Sequence, residues 1–314
     1  MPQLSIAVVI PTYNRGDLLP QTLDSVFAQT LKPAEVIVVD DGSTDGTAAY
    51  LDGLDVVQVR NPGGGWGPAR ARDEGLKRAS SELVAFIDSD DLMLPDALAR
   101  LAAALERQPT APFAFGRSLL ATRDECGWHP AGLMTAEPDE LSDPLPALFA
   151  RNFVPSAGTL VQVSAAEQIG GYPTTVFWVE DHYFWLRLAQ LADPAFVAAI
   201  TSVYRVHAGN RHTVDRAGAE LDRFAELAGE DPRLAAALPQ RLGVHLCETA
   251  TGALRARSPR AVAIALRGGL GRRRAKREIA RRAYGHWRAR RRWHDAGLSA
   301  WDADAELRAW LDRF

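Results

Sequence analysis

The sequence predicts an α/β fold in which a mostly parallel central sheet is flanked by helices and followed by a helical C-terminal extension. Three observations predict it. Short apolar runs alternate with helical segments through the first 112 residues, polar side chains cluster where those runs end, and residues 216–314 are rich in Ala, Leu and Arg. A chain of 314 residues that is 47% hydrophobic is long enough to bury the core of such a sheet.

The alternation begins with apolar runs that are bounded by turn residues. Unbroken runs of β-branched residues are typical of strands that are buried on both faces, as in parallel sheets. The predicted strands are residues 6–10, 35–39, 56–59 and 83–87, and the predicted helices are residues 18–29, 47–54, 69–79 and 95–106. This βαβαβαβ order favours right-handed crossovers and places ligands beyond the carboxyl ends of the strands.

The chain is predicted to divide into an α/β region, residues 1–215, and a helical region, residues 216–314. In the α/β region, residues 1–112 carry the regular alternation, and residues 113–215 should complete the sheet and form the second wall of a cleft. The elements predicted in this second half are strands at residues 113–120 and 158–163 and an amphipathic helix at residues 181–191.

Charge and cysteine content exclude several classes of protein. The net charge of -3 gives no reason to expect a nucleic-acid partner. Cys126 and Cys247 are far apart, so neither a disulfide framework nor a zinc site is indicated, and a reducing cytoplasm fits. No apolar run reaches about 18 residues, the length that a membrane span requires. We therefore expect a soluble cytoplasmic protein, or one that is at most peripheral at the inner face of the membrane.

Three carboxylates lie within four residues in the run Asp88-Ser89-Asp90-Asp91, directly after the fourth predicted strand. Carboxylates this close repel one another unless a positive charge lies between them, and oxygen ligands suit Mg²⁺ or Mn²⁺. An ion shared with a diphosphate would neutralise the charge on that leaving group. The alternative is structural, because Asp90 or Asp91 could cap the helix that follows.

The turn after the second predicted strand, residues 40–47, allows three interpretations. It could be a plain acidic turn. Its spacing is close to that of a calcium-binding loop, although such a loop lies between two helices and a buried strand precedes this one. Alternatively, Asp41 could accept a hydrogen bond from a nucleobase, with Pro11 and Tyr13 at the neighbouring strand end offering an apolar and aromatic face for the base.

Several motifs together resemble those of the family 2 glycosyltransferases of the GT-A fold. The first three are Pro11-Thr12-Tyr13-Asn14-Arg15, then Val39-Asp40-Asp41-Gly42-Ser43-Thr44-Asp45-Gly46-Thr47, then Asp88-Ser89-Asp90-Asp91 with Pro95 after it. Three later segments extend the resemblance to about residue 215, namely Gly170-Gly171-Tyr172, Glu180-Asp181 with Trp185-Leu186-Arg187-Leu188, and Tyr204-Arg205-Val206-His207. The resemblance implies a nucleotide-binding GT-A fold and a nucleotide-sugar donor, most often one with uracil or thymine as its base.

The resemblance also implies roles for individual residues. The residues assigned to the donor nucleotide are Pro11, Thr12, Tyr13, Arg15, Asp41, Arg72, Asp88 and Ser89. Those assigned to the metal are Asp88, Asp90 and His207, with Mn²⁺ or Mg²⁺ as the ion. Within the DxD pair, Asp90 would be the metal ligand, and Asp88 would lie nearer the ribose or sugar hydroxyls. A lone histidine is usually structural, and the assignment of His207 to the metal or the diphosphate rests on the resemblance.

Glu180 and Asp181 stand just before an amphipathic segment, so Asp181 is expected in the first turn of a helix or at its N-cap. The resemblance implies that the acid at this place deprotonates the acceptor hydroxyl, a poor nucleophile until its proton is accepted. Asp181 is therefore the first candidate for the general base, and Glu180 is the second.

The glycine-rich loop at residues 63–68 lacks the Gly-Lys-Ser/Thr ending of a P-loop and does not follow the first strand, as a dinucleotide fingerprint would. Relatives usually carry an Asn where this chain has Asp73, so an amide contact made there is in doubt. Arg72 could pair with an acidic group near the metal or face solvent.

Residues 272–292 contain ten Arg and one Lys against a single acid, Glu278, with Tyr284 and Trp287 interspersed. This pattern predicts a basic amphipathic helix. It could pack on the acidic remainder of the protein, mediate a homo-oligomer, or lie on an anionic membrane surface.

These observations predict a glycosyltransferase that moves a sugar from a UDP- or dTDP-sugar to an acceptor hydroxyl, metal-assisted and, by resemblance, with inversion. The sequence does not define the acceptor. Two alternatives are a nucleotidyltransferase, which normally carries a basic glycine-rich signature near the first strand, and a nucleotide-sugar-binding protein that has lost catalysis.

Overall fold

A sheet of nine strands forms the centre of the computed structural model, which describes residues 4–125, 127–176, 179–207, 217–238, 241, 305–311 and 313–314. The strands are β1 (Ile6–Thr12), β2 (Glu35–Asp40), β3 (Val57–Arg60), β4 (Leu83–Phe86), β5 (Leu92–Met93), β6 (Phe113–Asp124), β7 (Gly127–Met134), β8 (Thr159–Gln162) and β9 (Ala195–Val206). The helices are α1 (Leu19–Phe27), α2 (Thr47–Leu51), α3 (Gly67–Arg78), α4 (Ala97–Arg107), α5 (Pro138–Ser142), α6 (Pro144–Ala150), α7 (Val163–Gln168), α8 (Glu180–Ala189), α9 (Ala217–Glu230) and α10 (Pro232–Ala235), and a C-terminal helix spans Ala305–Leu311.

The strands follow the order β3-β2-β1-β4-β8-β6-β9-β5, and β7 pairs with β6 off this path. Strands β1 to β4 are mutually parallel, β8 is antiparallel to both of its neighbours, and β6 and β9 return to the direction of β1. Six of the nine strands therefore point the same way. The predicted α/β architecture, a mostly parallel sheet flanked by helices, is confirmed.

Strand β1 shows why the N-terminal strands are continuous apolar runs. All seven of its residues are buried. Ala7 and Val9 belong to the core between the sheet and helices α3, α6 and α8, whereas Val8 and Ile10 belong to the core that contains α1 and α4. Because successive side chains point to opposite faces and both faces are covered, the first six positions of the strand are all apolar, and only Thr12 at its end is polar.

Helices α9 and α10 pack into the first of these cores. Phe224, Leu227 and Leu234 are buried in the same cluster as Phe149 and Trp185 of the α/β region. The division of the chain at residue 215 stays a prediction, although side chains from before and after this residue pack in one core. The Arg-rich stretch 272–292 lies outside the described residues. No helix in the described part of the chain is both long enough and apolar enough to cross a membrane.

The architecture gathers the ends of distant strands at one edge of the sheet. Thr12, the last residue of β1, is in register with Asp40, the last residue of β2. The run that follows β4 leads into β5, and β5 pairs antiparallel with β9 close to the end of that strand. The predicted acidic run and the 204–207 segment are therefore neighbours although more than 100 residues separate them.

Candidate active site

The loops after β1 and β2 are joined by hydrogen bonds. The backbone N–H of Asn14 donates to Ser43 Oγ at 2.9 Å, and Asn14 Oδ1 accepts from the backbone N–H of Thr44 at 2.8 Å. Asn14 has a φ of 51°, a conformation that Asn adopts more readily than most residues. Residues 40–47 follow a strand, so the calcium-loop interpretation, which requires a preceding helix, is wrong.

Asp41 anchors the glycine-rich loop. Its Oδ1 accepts from Asn61 Nδ2 at 2.7 Å and from the backbone N–H of Trp66 at 2.9 Å, and its Oδ2 accepts from that of Gly67 at 2.8 Å. The loop approaches closely because Gly42 has no side chain: at its φ of +82° an added Cβ would lie 2.8 Å from Gly64 Cα. The carboxylate predicted to hold a nucleobase thus lies beside a preformed loop.

The other residues assigned to the nucleotide differ in exposure. Tyr13 is 45% exposed, so its ring is open to contact with a ligand. Pro11, Thr12 and Ser89 are buried, and Thr12 Oγ1 has no hydrogen-bond partner within the described structure. The nucleobase assignment of Pro11, Tyr13 and Asp41 stays a prediction.

Asp90 is contacted by two side chains from distant parts of the chain, Arg15 and His207. Its Oδ2 lies 3.2 Å from Arg15 Nε and 3.2 Å from His207 Nε2. Arg15 follows β1, Asp90 precedes β5 and His207 follows β9, so the sheet topology itself assembles this group. The structure brings together the predicted metal ligand and the predicted histidine.

Arg72 of α3 joins the acidic run to the start of α8. Its Nη2 donates to Asp88 Oδ1, and its Nη1 donates to Glu180 Oε1 at 3.1 Å. Burial by itself lowers the pKa of this guanidinium, but the neighbouring acids, Asp88 foremost, raise it well above its ordinary value. Of the two expectations for Arg72, pairing with an acid is confirmed and facing solvent is wrong.

Asp181 lies in the first turn of α8, where Val179 occupies the N-cap position, so the N-cap alternative for Asp181 is wrong. Its Oδ2 accepts from Ser156 Oγ at 3.4 Å and from Asn152 Nδ2 at 3.5 Å. Burial raises the pKa of its carboxyl to about 6, and the charge of Glu180 adds to the rise. Because Glu180 is engaged by Arg72, Asp181 is the better placed of the two candidate bases.

Asp91 has a structural role, but it is not a helix cap. Helix α4 begins at Ala97 with Asp96 at the N-cap position, so the capping alternative for Asp90 and Asp91 is wrong. Asp91 is 1% exposed, and its Oδ1 accepts from the backbone N–H of Arg205 at 2.9 Å. This bond fixes the acidic run to β9.

A divalent cation fits this donor set only if the substrate supplies further ligands. No group of three or more His, Cys, Asp or Glu side chains in the described ranges is arranged to hold a metal. Asp90 and His207 nevertheless converge, and Asp91 Oδ2 is buried without a hydrogen-bond partner among the described residues. Burial raises the pKa of Asp88 and Asp91, and the charge of Asp90 adds to both rises. A cation could be bound by one or two protein groups, with phosphate oxygens as its remaining ligands. Its positive charge would offset the repulsion among the carboxylates of the acidic run.

Comparison with known proteins finds sequences and structures that are similar to this chain. The glycosyl transferase family 2 model matches residues 7–125, a segment that includes β1 to β4 and the acidic run. This segment, 119 of the 314 residues, is similar to glycosyl transferase family 2. Solved glycosyltransferases share the fold at low identity, and the predicted GT-A type is confirmed by them.

Two solved structures cover most of the chain. S. aureus TarS, residues 1–349, in complex with UDP-GlcNAc, is 19% identical, covers 84% of this chain and 80% of its own, and superposes with a TM-score of 0.65. The mannosyltransferase PcManGT from Pyrobaculum calidifontis, in complex with GDP-Man and Mn²⁺, is 22% identical, covers 96% and 88%, and has a TM-score of 0.56.

Two curated relatives are each similar to about a third of this chain. The GalNAc(5)-diNAcBac-PP-undecaprenol beta-1,3-glucosyltransferase of Campylobacter jejuni is 39% identical over 106 residues, which is 32% of this chain and 34% of that protein. The validoxylamine A glucosyltransferase of Streptomyces hygroscopicus subsp. limoneus is 44% identical over 96 residues, 29% of this chain and 21% of that protein. The chain thus spans about a third or less of the length of these two relatives.

The sequence assigned no individual role to several residues of this site. Asn152 and Ser156, which contact Asp181, lie in a segment without a recognisable motif. Tyr204 is half-buried, and its pKa is raised by burial and by the nearby acids, Asp91 foremost. Arg205 is fully buried, and its Nε donates to the carbonyl oxygen of Asp90. The 204–207 motif gave the only signal for these last two residues.

Arg72→Met is expected to destabilise the protein by about 3–5 kcal/mol at pH 7, because it leaves two carboxylates near a buried site without their cation. The loss should shrink as the pH falls, since burial raises the pKa of Asp88 and its protonation removes an unpaired charge. Urea unfolding at neutral and at lower pH measures this effect.

Arg70→Met is the matched control, because Arg70 lies on the same helix but is exposed and stacks over Trp66 at 5.1 Å. Its expected cost is below about 1 kcal/mol. Equal losses in the two variants would contradict the buried role of Arg72.

Proposed function

We propose that this chain is a glycosyltransferase that transfers a sugar from a nucleotide diphosphate donor to an acceptor hydroxyl. The reaction is a single displacement, assisted by Mn²⁺ or Mg²⁺, with inversion at the anomeric carbon. One observation carries the proposal: Asp90 is contacted by Arg15 and His207, while Arg72 joins the same acidic run to the pair that contains Asp181.

The donor is proposed to lie along the ends of β1, β2 and β4. Tyr13 offers an exposed ring for the base, and Asp41 lies beside the glycine-rich loop with its carboxylate at the end of β2. We propose a UDP- or dTDP-sugar as the donor. TarS was solved with UDP-GlcNAc and PcManGT with GDP-Man, so relatives of this fold accept different bases.

Asp90 and His207 are the side chains that would hold the cation, with Asp88 close to them. When bound, the ion neutralises the charge that develops on the leaving diphosphate. The Arg15 guanidinium lies 3.2 Å from the same Asp90 oxygen that His207 contacts, and it supplies a fixed positive charge there. Arg72 holds Asp88 in place, so Asp88 can accept hydrogen bonds from sugar or ribose hydroxyls without moving.

Asp181 accepts the proton of the attacking hydroxyl at Oδ2. Ser156 Oγ and Asn152 Nδ2 already donate to that oxygen, and Asn152 is held in this orientation because its Oδ1 accepts from the backbone N–H of Val154 at 3.1 Å. An acceptor hydroxyl that approaches Oδ2 therefore meets two fixed polar groups. A pKa of about 6 leaves Asp181 mostly ionised at pH 7 yet basic enough to take the proton.

A thermal-shift screen of the full chain tests this proposal. UDP, dTDP, GDP, CDP and ADP are each added with Mn²⁺ or with EDTA. UDP or dTDP with Mn²⁺ should raise the melting temperature, since a ligand at 100 times its Kd stabilises the native state by about 2.7 kcal/mol. A shift with GDP alone would overturn the proposed base, and shifts that persist in EDTA would overturn the metal.

A donor-hydrolysis assay then separates an enzyme from a silent nucleotide-sugar-binding protein. The donor that the screen identifies should release its nucleoside diphosphate slowly in water, and faster once a suitable acceptor is present. Binding of the nucleotide without release would favour the silent protein. Membrane contact or oligomerisation through residues 272–292 stays a prediction.

A further inference from the structure

The C-terminal helix, Ala305–Leu311, packs on the part of the sheet that carries the acidic run. Leu307 and Leu311 are 5% and 0% exposed. They share an apolar cluster with Leu92 of β5, Trp128 of β7 and Val203 of β9. Because the cluster joins residues more than 180 positions apart in the chain, the helix is part of the fold around the site and does not hang free from it.

Two members of this cluster adjoin the site in sequence. Leu92 directly follows Asp91 and pairs with Val203 across β5 and β9. Asp90 therefore lies two residues before a paired, buried leucine, and His207 lies four residues after a paired, buried valine. Any movement of β5 relative to β9 would alter the 3.2 Å approach of Asp90 to His207.

Trp128 connects the cluster to the same turn by a second route. Its ring centroid lies 6.0 Å from the Arg205 guanidinium carbon. Arg205 in turn donates from Nε to the carbonyl oxygen of Asp90, and its backbone N–H donates to Asp91 Oδ1. The chain end is held as well, because Arg123 Nη1 donates to the carbonyl oxygen of Phe314 at 3.4 Å.

We infer that the C-terminal helix is a positioning element for the proposed metal and diphosphate site. Leu307 and Leu311 act through Leu92, Val203 and Trp128 and keep the acidic run in register with β9. The inference rests on the proposed function for its catalytic consequence. Its structural part, coupling of the helix to residues 88–94 and 200–207, can be tested without any ligand.

Hydrogen exchange of the full-length Leu311→Ala variant tests this coupling. The backbone N–H of Leu94 donates to the carbonyl oxygen of Thr201 at 2.9 Å, and that of Asp91 donates to the carbonyl oxygen of Asp88. The backbone N–H of Arg205 donates to Asp91 Oδ1. Peptides that cover residues 88–94 and 200–206 should exchange at least tenfold faster than in the parent. Peptides from β1 and β2 should be unchanged.

Leu227→Ala is the matched control, since Leu227 is 1% exposed but belongs to the core under α9. Leu227→Ala should leave exchange at residues 88–94 unchanged. Leu311→Met should exchange at the parental rate in these residues, unlike Leu311→Ala. If Leu311→Ala does not fold, Leu311→Val is measured in the same way. Unchanged exchange at residues 88–94 in the Leu311 variant, or an equal increase in Leu227→Ala, would overturn the inference.

Calorimetry with UDP and Mn²⁺ gives the functional readout. The Kd for UDP should rise at least tenfold in Leu311→Ala and stay at the parental value in Leu227→Ala. If the parental protein binds neither UDP nor dTDP in the presence of Mn²⁺, the proposed function fails, while the exchange experiment still decides the role of the helix. If exchange at residues 88–94 is faster in Leu311→Ala but the Kd for UDP is unchanged, the helix has a structural role only. Its inferred effect on the site would then be overturned.

Discussion

Asp181→Asn should lower the rate of sugar transfer by about 10²- to 10⁴-fold, while the Kd for the donor nucleotide stays unchanged. The amide cannot accept the proton of the acceptor hydroxyl, but it keeps the size of the carboxylate and can still accept from Asn152 and Ser156. Initial rates at saturating donor, together with calorimetric titration of the nucleotide, separate the loss of the base from a loss of binding.

The pH dependence of the parental protein should report the same residue. Burial places the pKa of Asp181 at about 6, so kcat/KM should fall as the pH drops through about 6, and not near 4 as for an exposed aspartate. A limb near pH 4 would contradict the assignment of the base.

The same replacement should stabilise the fold at neutral pH. In the unfolded chain the Asp181 pKa returns to about 3.8, so the native state is penalised once the pH rises from about 4 through about 6. Removal of this penalty should add about 1–3 kcal/mol at pH 7, and the gain should vanish toward about pH 3, where the carboxyl is protonated in both states. Denaturant unfolding at the two pH values measures the difference.

Asp139→Asn is the matched control for these three measurements. Asp139 is the second residue of α5, as Asp181 is of α8, but it is exposed. Neither transfer nor stability should change by a measurable amount in this variant. Turnover of Asp181→Asn at the parental rate would move the search for the base to Glu180.

Asp90→Asn should lower metal-dependent transfer by about 10²- to 10³-fold, because a weakened ion loses several kcal/mol of charge stabilisation on the leaving diphosphate. The Mn²⁺ concentration that gives half-maximal rate should rise as well. Titration of the rate with Mn²⁺ at fixed donor concentration measures both effects. The amide preserves the shape of the side chain, so the contacts from Arg15 and His207 need not collapse.

Asp96→Asn provides the control for Asp90, since Asp96 also pairs with an arginine, Arg100 at 2.5 Å, but lies on the exposed surface of α4. It should leave the Mn²⁺ titration unchanged. An Asp90→Asn protein with the parental Mn²⁺ dependence would contradict the metal assignment.

The sequence predicted the first half of the fold well because both faces of β1, β2 and β4 are buried, which leaves long apolar runs between turn residues. It did not predict β5, β7 or β9. Strand β5 has only two residues. Strand β7 contains Pro130, which is tolerated because it lies at a register shift opposite Ala121. Strand β9 is only partly apolar, and its pairing depends on partners far away in the chain.

The candidate site was predictable where a motif marked it and not where tertiary contacts create it. Asp88, Asp90 and Asp181 stand in short acidic motifs at element ends. Arg72 bridges Asp88 and Glu180, and 108 residues separate Arg72 from Glu180 in the sequence. Spacing within the chain carries no information on such a contact. The role of Asp91 was misjudged for the same reason, because its partner is the backbone of Arg205.

The sheet order has a consequence for synthesis of the protein. Asp90 meets Arg15 across 75 residues and His207 across 117, and topologies with such long-range contacts pay the entropy of loop closure before any contact forms. During translation, Arg15 and Arg72 emerge before the acidic run, whereas His207 and the Arg205 backbone N–H that Asp91 accepts from emerge more than 110 residues after it. A nascent chain or proteolytic fragment that ends near residue 125 would contain the whole segment that matches the family model yet lack the proposed base Asp181, His207 and Arg205. The segment that matches the family model is thus shorter than the segment that builds the candidate site.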